Sequence, residues 1–342
     1  MTVLIIFPIY LFFFVLLNYF FLKKKILLDN IKSSEHKNFL GKNNVPISGG
    51  ILAYSIVLFF LQDITIINKL IFLIILIIGI LSDTNKLISP SKRLIFQTLL
   101  IIFYLYINKL FINETRIIFL DFFLENNFIF KLLFTALCIL ILVNGVNFID
   151  GTNILAGGYI LSVLTGLSIF LIENDSIFSL LNIQYLICFL ILFLIFNFFS
   201  KSYLGDGGSY LLSIILGIIC INFANYFQYS ISPFYIALLL WYPALENLIS
   251  IIRRSLFQKK NVNYADSLHL HHLIYKFLNL KFKKNSLNNP ITGVVVNVFI
   301  FIFIFLGTKF ANQTMILVYL ISIKTFIYIY VYLYLLKKFK YK

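Results

Sequence analysis

Three polar residues recur at intervals of three at the end of a long apolar run, and their side chains could bind a cation or a phosphate. Asn144, Asn147 and Asp150 close a run that begins at Ile129, and Gly151 follows them. On a helix this spacing places the three side chains near one face, staggered along its last turns. A bilayer tolerates such groups only where a span ends at water or lines a polar cavity. The stretch therefore predicts a functional site at a span end, with helix capping before a glycine as the simpler alternative.

Two further aspartates stand where other apolar runs meet polar segments. Asp83 follows the third apolar run, and Asp206 lies in the glycine-rich turn LGDGGS that begins at Leu204. Mg²⁺ prefers carboxylate and amide oxygens and commonly completes its shell with water and substrate phosphates. The turn suits presentation of a carboxylate to a metal or a diphosphate, with backbone N–H groups exposed at the next helix start. On its own GDGGS is weak evidence, because an ordinary turn between helices has the same composition.

Cations and histidines accompany these carboxylates. Arg253 and Arg254 open the longest polar loop, which also contains His269, His271 and His272. The three histidines are too closely spaced for one helical face, and zinc would favour thiols or more widely spaced ligands. Contacts with phosphate or sugar fit this pattern better, with an ordinary histidine-containing loop as the alternative.

The composition identifies the class of protein that holds these residues. The chain has 342 residues, of which 61% are hydrophobic and 12% charged, and its mean hydropathy is +0.97. Soluble domains are roughly half apolar and a quarter charged, so the sequence predicts an all-α polytopic membrane protein. The net charge of +15 falls in short loops, which indicates membrane topology and disfavours nucleic-acid binding. Cys138, Cys188 and Cys220 lie inside apolar runs without CxxC spacing and are expected to be packing residues.

The apolar runs predict about eleven transmembrane helices in a single integral-membrane domain, residues 1–342. The first run ends in Lys23, Lys24 and Lys25, the reverse of a signal peptide, and is expected to be a retained helix. The runs cover 2–22, 49–61, 66–81, 94–112, 129–149, 154–172, 180–199, a run ending at 223, 233–252, 291–306 and 315–336.

The loop charges predict the orientation of these helices. Placing the N-terminus outside and the C-terminus in the cytoplasm puts nearly all loop lysines and arginines on one side, as the positive-inside rule requires. Asp83, Asp150, Asp206 and the histidines then share the cytoplasmic face. The active face is expected to comprise the loops 23–48, 82–93, 201–208 and 253–290.

The chemistry at this face indicates phosphoryl transfer between a water-soluble donor and a lipid-borne acceptor. Transporters and channels concentrate ionisable groups near the bilayer midplane, whereas the span middles here hold almost none. A polytopic transporter or a flippase of anionic lipid-linked substrates remains the alternative. Metal-dependent product release would distinguish the two classes.

Six segments in order carry a family resemblance. The chain resembles the polyprenyl-phosphate N-acetylhexosamine-1-phosphate transferases of glycosyltransferase family 4. Within that family it is similar to the branch that starts O-antigen, common-antigen or teichoic-acid linkage sugars. The segments are PISGG (46–50), SDTNKLISPSKRLIFQ (82–97), NGVNFIDGTNILAGG (144–158), LGDGGSYLLSIILG (204–217), PALENLISIIRR (243–254) and ADSLHLHHL (265–273).

The resemblance implies an enzyme of the bacterial inner membrane that depends on Mg²⁺, with Mn²⁺ as an alternative. A UDP-N-acetylhexosamine and polyprenyl (undecaprenyl) phosphate would give polyprenyl-diphosphate-sugar and UMP, the first membrane step of a cell-surface polysaccharide such as lipopolysaccharide. Direct attack by the lipid phosphate is expected, because this group is already anionic near neutral pH and catalysis then needs mainly positioning and charge stabilisation. A covalent aspartyl intermediate stays open, and so does a homodimer.

The resemblance also implies roles for single residues. Asp206 and Asn147 would hold the metal on the donor diphosphate. Asp83 would face the acceptor phosphate or the metal, and Asp150 would help to position the nucleotide or the metal shell. The remaining implied site residues bind phosphate, nucleotide or sugar: Arg93 with Lys92, Asn144, Arg253, Arg254, His269, His271 and His272.

Two positions depart from the family's pattern. Ser82 stands where the family usually has the first of two aspartates, so one carboxylate is missing, and Asp83 is expected to suffice. Ile154 stands where the family usually has a glycine that tightens the turn after Asp150. The HLHH order of the histidines is similar to the simple-sugar branch rather than the muramoyl-pentapeptide branch.

Overall fold

The computed structural model describes residues 2–29, 44–61, 64–87, 89–174, 176, 180–258, 268–282 and 285–340. The expected active-face loops 23–48 and 253–290, and the start of the histidine segment at 265, therefore lie partly outside the described residues. The described helices are α1 (Thr2–Lys24), α2 (Gly49–Phe59), α3 (Ile66–Asp83), α4 (Pro90–Asn108), α5 (Ile118–Asn126), α6 (Phe128–Ile149), α7 (Leu155–Glu173), α8 (Leu180–Phe198), α9 (Gly205–Tyr226), α10 (Pro233–Ile252), α11 (Leu270–Lys281), α12 (Asn288–Lys309) and α13 (Thr314–Lys340).

The predicted all-α polytopic membrane fold is confirmed. Seven of the described helices, namely α3, α6, α7, α9, α10, α12 and α13, are long and apolar enough to cross a bilayer. Together with α1, α2, α4 and α8 they coincide with the eleven predicted spans. A π-helical turn (Arg253–Gln258) extends α10, and the short strands β1 (Leu28–Asp29) and β2 (Val45–Pro46) pair antiparallel.

Two helices were not expected from the sequence, because both lie in segments interpreted as loops. The nine-residue α5 lies between α4 and α6, and the twelve-residue α11 lies in the long polar loop. Isolated helices of this length are marginal in water, so packing has to stabilise them. The contacts of α11 with α12 and α13, and of α5 with α6, supply that packing.

The helix α9 forms the centre of the bundle. It packs against α2, α3 and α6, with further contacts to α7 and α10, and most of its side chains are buried. The closest approach is between α3 and the first turn of α9, where a Cβ added at Gly79 would collide with the backbone of Gly207. Small residues allow such backbone contact between membrane helices. The start of α9 therefore lies directly against the last turns of α3.

Contacts between helix termini show that the expected functional segments share one end of the bundle, which we call the site end. The N–H of Gly49 donates to the carbonyl of Tyr203 at 3.0 Å, and the N–H of Asn153 donates to Oδ1 of Asn289 at 2.7 Å. These bonds join the start of α2 to the loop before α9, and the start of α7 to the start of α12. The site end therefore includes the starts of α2, α7 and α12 and the loop before α9.

The turn between α6 and α7 explains why a glycine is favoured at position 154. Ile154 has φ +71°, the left-handed region that β-branched residues rarely occupy. Two amides hold it there, because its N–H donates to Oδ1 of Asn197 at 2.6 Å and its carbonyl accepts from Nδ2 of Asn297 at 2.9 Å. Side-chain hydrogen bonds thus stabilise a conformation that the side chain itself disfavours.

Lys324 is an exception to the expectation that the span middles hold almost no ionisable groups. This residue of α13 is fully buried, with its Nζ 4.8 Å from the ring centroid of Trp241 and 5.9 Å from that of Phe303. Its amine also donates to the carbonyl of Leu238 at 3.4 Å. The aromatic faces and the carbonyl are groups that can stabilise a buried amine.

Candidate active site

Asp83 caps the N-terminus of α9. Its Oδ1 accepts the N–H of Asp206 at 3.0 Å, and its Oδ2 accepts the N–H of Gly207 at 3.2 Å. These N–H groups belong to the first turn of the helix, where they have no partner within the helix and where the helix dipole favours a negative charge. Gly205 permits the arrangement, because it has φ +71° and a Cβ there would lie 2.7 Å from Oδ2 of Asp83.

Asp206 of α9 is the centre of a polar cluster formed by four helices. Nδ2 of Asn147 on α6 donates to its Oδ1 at 2.8 Å, and Nη1 of Arg93 on α4 donates to its Oδ2 at 2.9 Å. Nδ2 of Asn147 also lies 3.1 Å from Oγ of Ser209, and Nη1 of Arg93 lies 3.3 Å from the hydroxyl of Tyr210. The structure thus brings the predicted metal-binding pair Asp206 and Asn147 together with the predicted phosphate-binding Arg93.

Ser82 belongs to the same cluster. Its hydroxyl donates to Oδ2 of Asp206 and accepts from Nη1 of Arg93. The serine therefore lies between the carboxylate and the guanidinium and connects α3 to both. A hydroxyl can do this because it is donor and acceptor at once, whereas an ionised carboxylate only accepts.

The other predicted residues of α4 and α6 lie around this cluster. Asn144 lies one turn before Asn147, and its Nδ2 donates to the carbonyl of Leu140 at 2.9 Å. Asp150 ends α6 and is partly exposed, and its N–H donates to the carbonyl of Val146 at 3.2 Å. Lys92 is exposed, one residue before Arg93.

The histidines form a second cluster at the start of α11. The ring centroids of His271 and His272 are 4.2 Å apart, and both rings lie within 6 Å of the ring of His269, at 5.6 and 5.8 Å. The cluster packs on the end of α6, because a Cβ added at Gly151 would lie 2.5 Å from Nε2 of His271 and 2.7 Å from Nε2 of His272. Glycine at this position allows the two imidazoles to approach the turn beside Asp150.

His271 is held as a neutral imidazole. Burial, followed by the nearby His272 and His269, lowers its pKa well below the usual value for histidine. Among the described residues neither of its ring nitrogens has a hydrogen-bond partner, although the side chain is fully buried. Buried polar atoms are rarely left unpaired. The two nitrogens are therefore candidates for one donated and one accepted hydrogen bond with a ligand.

Both predicted arginines lie beside the histidine cluster. Nη1 of Arg253 donates to the carbonyl of Leu268 at 3.0 Å and to the hydroxyl of Tyr332 at 2.6 Å. The guanidinium of Arg254 lies 5.5 Å from the ring centroid of Phe148, and the ring of His269 lies 5.5 Å from the same phenyl ring. Since Phe148 directly follows Asn147, one turn of α6 connects the histidine cluster to the Asp206 cluster.

The Asp206 cluster fits a magnesium ion in ligand type. Oδ1 of Asp206 accepts one described hydrogen bond and has a further lone pair. A half turn of the Asn147 amide would place the amide oxygen beside Oδ1 of Asp206. Among the described residues no group of three or more His, Cys, Asp or Glu side chains is arranged to hold a metal. An ion here would therefore take its remaining ligands from water and substrate phosphate, as Mg²⁺ commonly does.

Sequence reasoning missed several residues that build these clusters. Ser209 and Tyr210 follow Asp206 within one helical turn and read as ordinary span residues. Phe148 is one aromatic residue among many. Glu246 is a buried carboxylate of α10 that contacts His269. Its sequence signal is an acidic residue within an apolar run.

The comparisons with known proteins agree with this geometry. A family model described as glycosyl transferase family 4 matches residues 64–224. The matched part runs from the start of α3 into α9 and includes every residue of the Asp206 cluster, whereas the histidine cluster lies beyond it. A comparison with curated proteins gave no match.

Proposed function

We propose that the chain, of which residues 64–224 match the model of glycosyl transferase family 4, is a membrane sugar-phosphate transferase that transfers N-acetylhexosamine 1-phosphate from a UDP-sugar to polyprenyl phosphate. The observation that carries this proposal is the convergence of Asp206, Asn147 and Arg93 at the site end, with contacts of 2.8 and 2.9 Å. A carboxylate, an amide and a guanidinium are the groups that metal-assisted transfer between phosphates requires.

The proposed reaction balances as a direct displacement. An oxygen of polyprenyl phosphate attacks the phosphorus that carries the sugar, and the bond from this phosphorus to the bridging oxygen of the donor diphosphate breaks. UMP leaves with the bridging oxygen, and the lipid product is polyprenyl-diphosphate-N-acetylhexosamine. The acceptor needs no dedicated base, because the second pKa of a phosphate monoester is about 6.

The Asp206 cluster supplies the electrostatic part of this mechanism. Asp206 and Asn147 would hold Mg²⁺, which neutralises the donor diphosphate and polarises its oxygens when it is bound. Arg93, assisted by Lys92 from the surface, binds phosphate oxygens and stabilises the charge that moves to the leaving group. Arg93 contacts Asp206 at 2.9 Å, so its guanidinium is already next to the position where the diphosphate has to lie.

Asp83 fixes the geometry of the reacting end. Because it caps α9, it sets the direction in which the first turn presents Asp206. In this proposal Asp83 faces the acceptor phosphate through the metal shell, because a carboxylate and a phosphate both only accept hydrogen bonds. Asn144 and Asp150 flank Asn147 on α6, and we assign them to positioning the nucleotide.

The histidine cluster binds the rest of the donor in this proposal. Neutral His271 can donate one hydrogen bond and accept another, which suits the hydroxyl and amide groups of an N-acetylated sugar. Arg253 and Arg254 lie around it and provide charge-assisted bonds to phosphate, and His269 and His272 offer ring nitrogens to the donor. The clusters meet at Asn147 and Phe148, and this favours one substrate that spans both.

The setting proposed for this reaction is the cytoplasmic face of a bacterial inner membrane. The site end carries the lysines after α1, Lys201, Arg253, Arg254 and the lysines at the end of α13. Positive loops face the cytoplasm in membrane proteins, where a nucleotide sugar is available. The product would be the first lipid-linked intermediate of a surface polysaccharide.

A direct assay tests the proposal. The purified chain is incubated with polyprenyl phosphate, Mg²⁺ and a panel of UDP-N-acetylhexosamines and UDP-hexoses, and UMP release is measured. We expect release with an N-acetylhexosamine donor that stops with EDTA, returns with Mg²⁺ or Mn²⁺ and requires the lipid. Asp206→Asn serves as the inactive control. Full release in EDTA would remove the metal from the mechanism, and UMP release without lipid would indicate a covalent intermediate instead of direct transfer.

A further inference from the structure

Glu246 is a buried carboxylate that contacts the histidine cluster from α10. Its side chain is 1% exposed. Oε2 lies 2.9 Å from Nδ1 of His269, while Oε1 accepts the hydroxyl of Tyr242 at 3.2 Å and the N–H of Leu270 at 3.3 Å. A carboxylate without water is costly unless it is hydrogen-bonded, and these three donors meet that need.

These contacts favour one of the two ring nitrogens of His269 as the carrier of the proton. An ionised carboxylate only accepts hydrogen bonds, so a hydrogen bond to ionised Glu246 requires Nδ1–H on the ring. The second nitrogen, Nε2, is then left to accept a hydrogen bond, or to donate one if the ring is charged. A carboxylate that orients an imidazole in this way is a recurring arrangement in enzymes and metal sites.

The same carboxylate anchors the start of α11. His269 is the N-cap residue of this helix and Leu270 is its first residue, so Glu246 accepts an N–H group that has no partner within the helix. Its negative charge also lies at the end of the helix dipole that favours it. The first turn of α11 carries His271 and His272, so the anchor of the helix is also the anchor of the cluster.

The packing of α10 on α6 connects this anchor to the Asp206 cluster. A Cβ added at Gly145 of α6 would collide with the carbonyl of Pro243, one turn before Glu246 on α10. His271 and His272 of α11 pack on Gly151, which follows the end of α6. The helix α6 therefore contacts α10, α10 contacts α11, and α11 contacts the end of α6. Glu246 makes the contact between α10 and the start of α11.

We propose that Glu246 is a positioning residue. It holds His269 as the Nδ1–H form and fixes α11 so that the histidine cluster meets the donor over the end of α6. The expected effect on catalysis rests on the proposed function, whereas the tautomer of His269 can be measured without any turnover.

The variant Glu246→Gln tests the proposal with nearly unchanged shape. Glutamine can accept from Tyr242 and Leu270 with its oxygen, but its NH₂ group then faces Nδ1 of His269 and forces the opposite tautomer. We expect kcat/KM for the UDP-sugar to fall at least about tenfold, with the KM for polyprenyl phosphate changed by less than about twofold. Glu246→Asp, which keeps the charge, is expected to retain more activity than Glu246→Gln. Tyr242→Phe is the matched control that removes one hydrogen bond to Glu246 and leaves His269 in place.

A double-mutant comparison separates positioning from general stabilisation of the fold. If Glu246 acts through His269, Glu246→Gln adds little to the loss caused by His269→Ala. Additive losses, or equal increases in KM for both substrates together with a lower melting temperature, would assign Glu246 a purely structural role and overturn the proposal.

Nitrogen NMR of the wild-type chain tests the tautomer without assaying turnover. The chain has four histidines, and the ¹⁵N signals of His269 are assigned by their loss in His269→Asn. A protonated Nδ1 supports the proposal, whereas the Nε2–H tautomer overturns it. If the wild type releases no UMP with any donor, the proposed function fails while this measurement still tests the role of Glu246.

Discussion

Asp83 binds the backbone of Asp206. The two carboxylates therefore have different environments, since Asp83 accepts N–H groups at 3.0 and 3.2 Å whereas Asp206 contacts the side chains of Asn147, Arg93 and Ser82. One aspartate orients the helix, and the other is presented by it. This division predicts different consequences for the same chemical change at the two positions.

The first prediction compares Asp83→Asn with Asp206→Asn. Asparagine at 83 can accept with only one atom, so one N–H of α9 loses its partner and the helix end loses a favourable charge. We expect the free energy of unfolding to fall by about 1–2 kcal/mol and UMP release to fall at least about a hundredfold. Asp206→Asn is expected to abolish release with little change in melting temperature, and Asn147→Ala should resemble it.

The measurements for this pair are UMP release and thermal unfolding in the same detergent. If the melting temperature were lower for Asp206→Asn than for Asp83→Asn, the division between an orienting and a presented carboxylate would be wrong.

The second prediction concerns donor binding by the histidine cluster. Arg254→Ala and His271→Ala are expected to raise the KM for the UDP-sugar about tenfold or more and leave the KM for polyprenyl phosphate nearly unchanged. The reason is that His271 belongs to the histidine cluster assigned to the donor and Arg254 lies beside this cluster. Lys281→Ala removes an exposed cation of α11 and is the matched control. A raised lipid KM with an unchanged donor KM would reverse the assignment.

The third prediction follows from the lowered pKa of His271. The folded state holds this residue neutral, whereas the unfolded chain binds a proton with a pKa of about 6.5. The unfolded state therefore binds more protons as the pH falls below that value, and stability decreases. We expect the melting temperature to drop from about pH 6.5 downwards and to drop less in His271→Gln. Equal slopes for both proteins between pH 6.5 and 5 would contradict a neutral, buried His271.

The fourth prediction concerns the strained turn at Ile154. A residue with a Cβ in the left-handed region costs about 1–2 kcal/mol, and glycine releases this strain at an entropic cost of about 0.4–1 kcal/mol. We expect Ile154→Gly to leave the free energy of unfolding unchanged or to raise it by up to about 1 kcal/mol. Leu155→Gly is the control, because Leu155 is buried in α7 and its loss should cost about 3 kcal/mol or more. Similar losses in both variants would show that the amides of Asn197 and Asn297 have already removed the strain.

The positions of the spans and the grouping of the polar segments could be predicted from the sequence, because both depend on properties of single segments. Apolar length determines where a helix crosses, and loop charge determines which ends lie together. The resemblance implies that Asn147 and Asp206 hold a metal together, and the amide of Asn147 donates to Asp206 at 2.8 Å, while the metal role of the two residues stays a prediction.

The contacts that build the clusters could not be predicted in the same way. Arg93 and Asp206 are 113 residues apart, and Glu246 and His269 are 23 apart, so both pairs depend on how helices pack. The sequence of α11 indicates a loop because its polar composition conceals an apolar face, which packs against α12 and α13. Lys324 leaves no clear signal in the sequence, because a single lysine hardly changes the hydropathy of a long run.

The last prediction turns on Ser82, where the family usually has an aspartate. The hydroxyl of Ser82 bridges Arg93 and Asp206, so an aspartate here would lose the donated bond and bring a second carboxylate close to the first. Nη1 of Arg93 already contacts both positions and can pair with both charges. The acceptor phosphate needs little help to lose its proton near pH 7, so the extra carboxylate is not required as a base.

We therefore expect Ser82→Asp to change UMP release by no more than about tenfold, or ~1.4 kcal/mol in barrier, whereas Asp83→Asn lowers it at least about a hundredfold. Thr84→Asp adds the same charge on an exposed neighbour whose hydroxyl contacts only α3 carbonyls among the described residues, and it controls for charge alone. Ser82→Ala isolates the loss of the bridge and is expected to weaken the response to Mg²⁺, because Asp206 is then held by Arg93 and Asn147 without Ser82. If the wild type releases no UMP with any donor and Ser82→Asp restores release, a single carboxylate in this segment is insufficient, and the serine marks a chain that has lost the reaction.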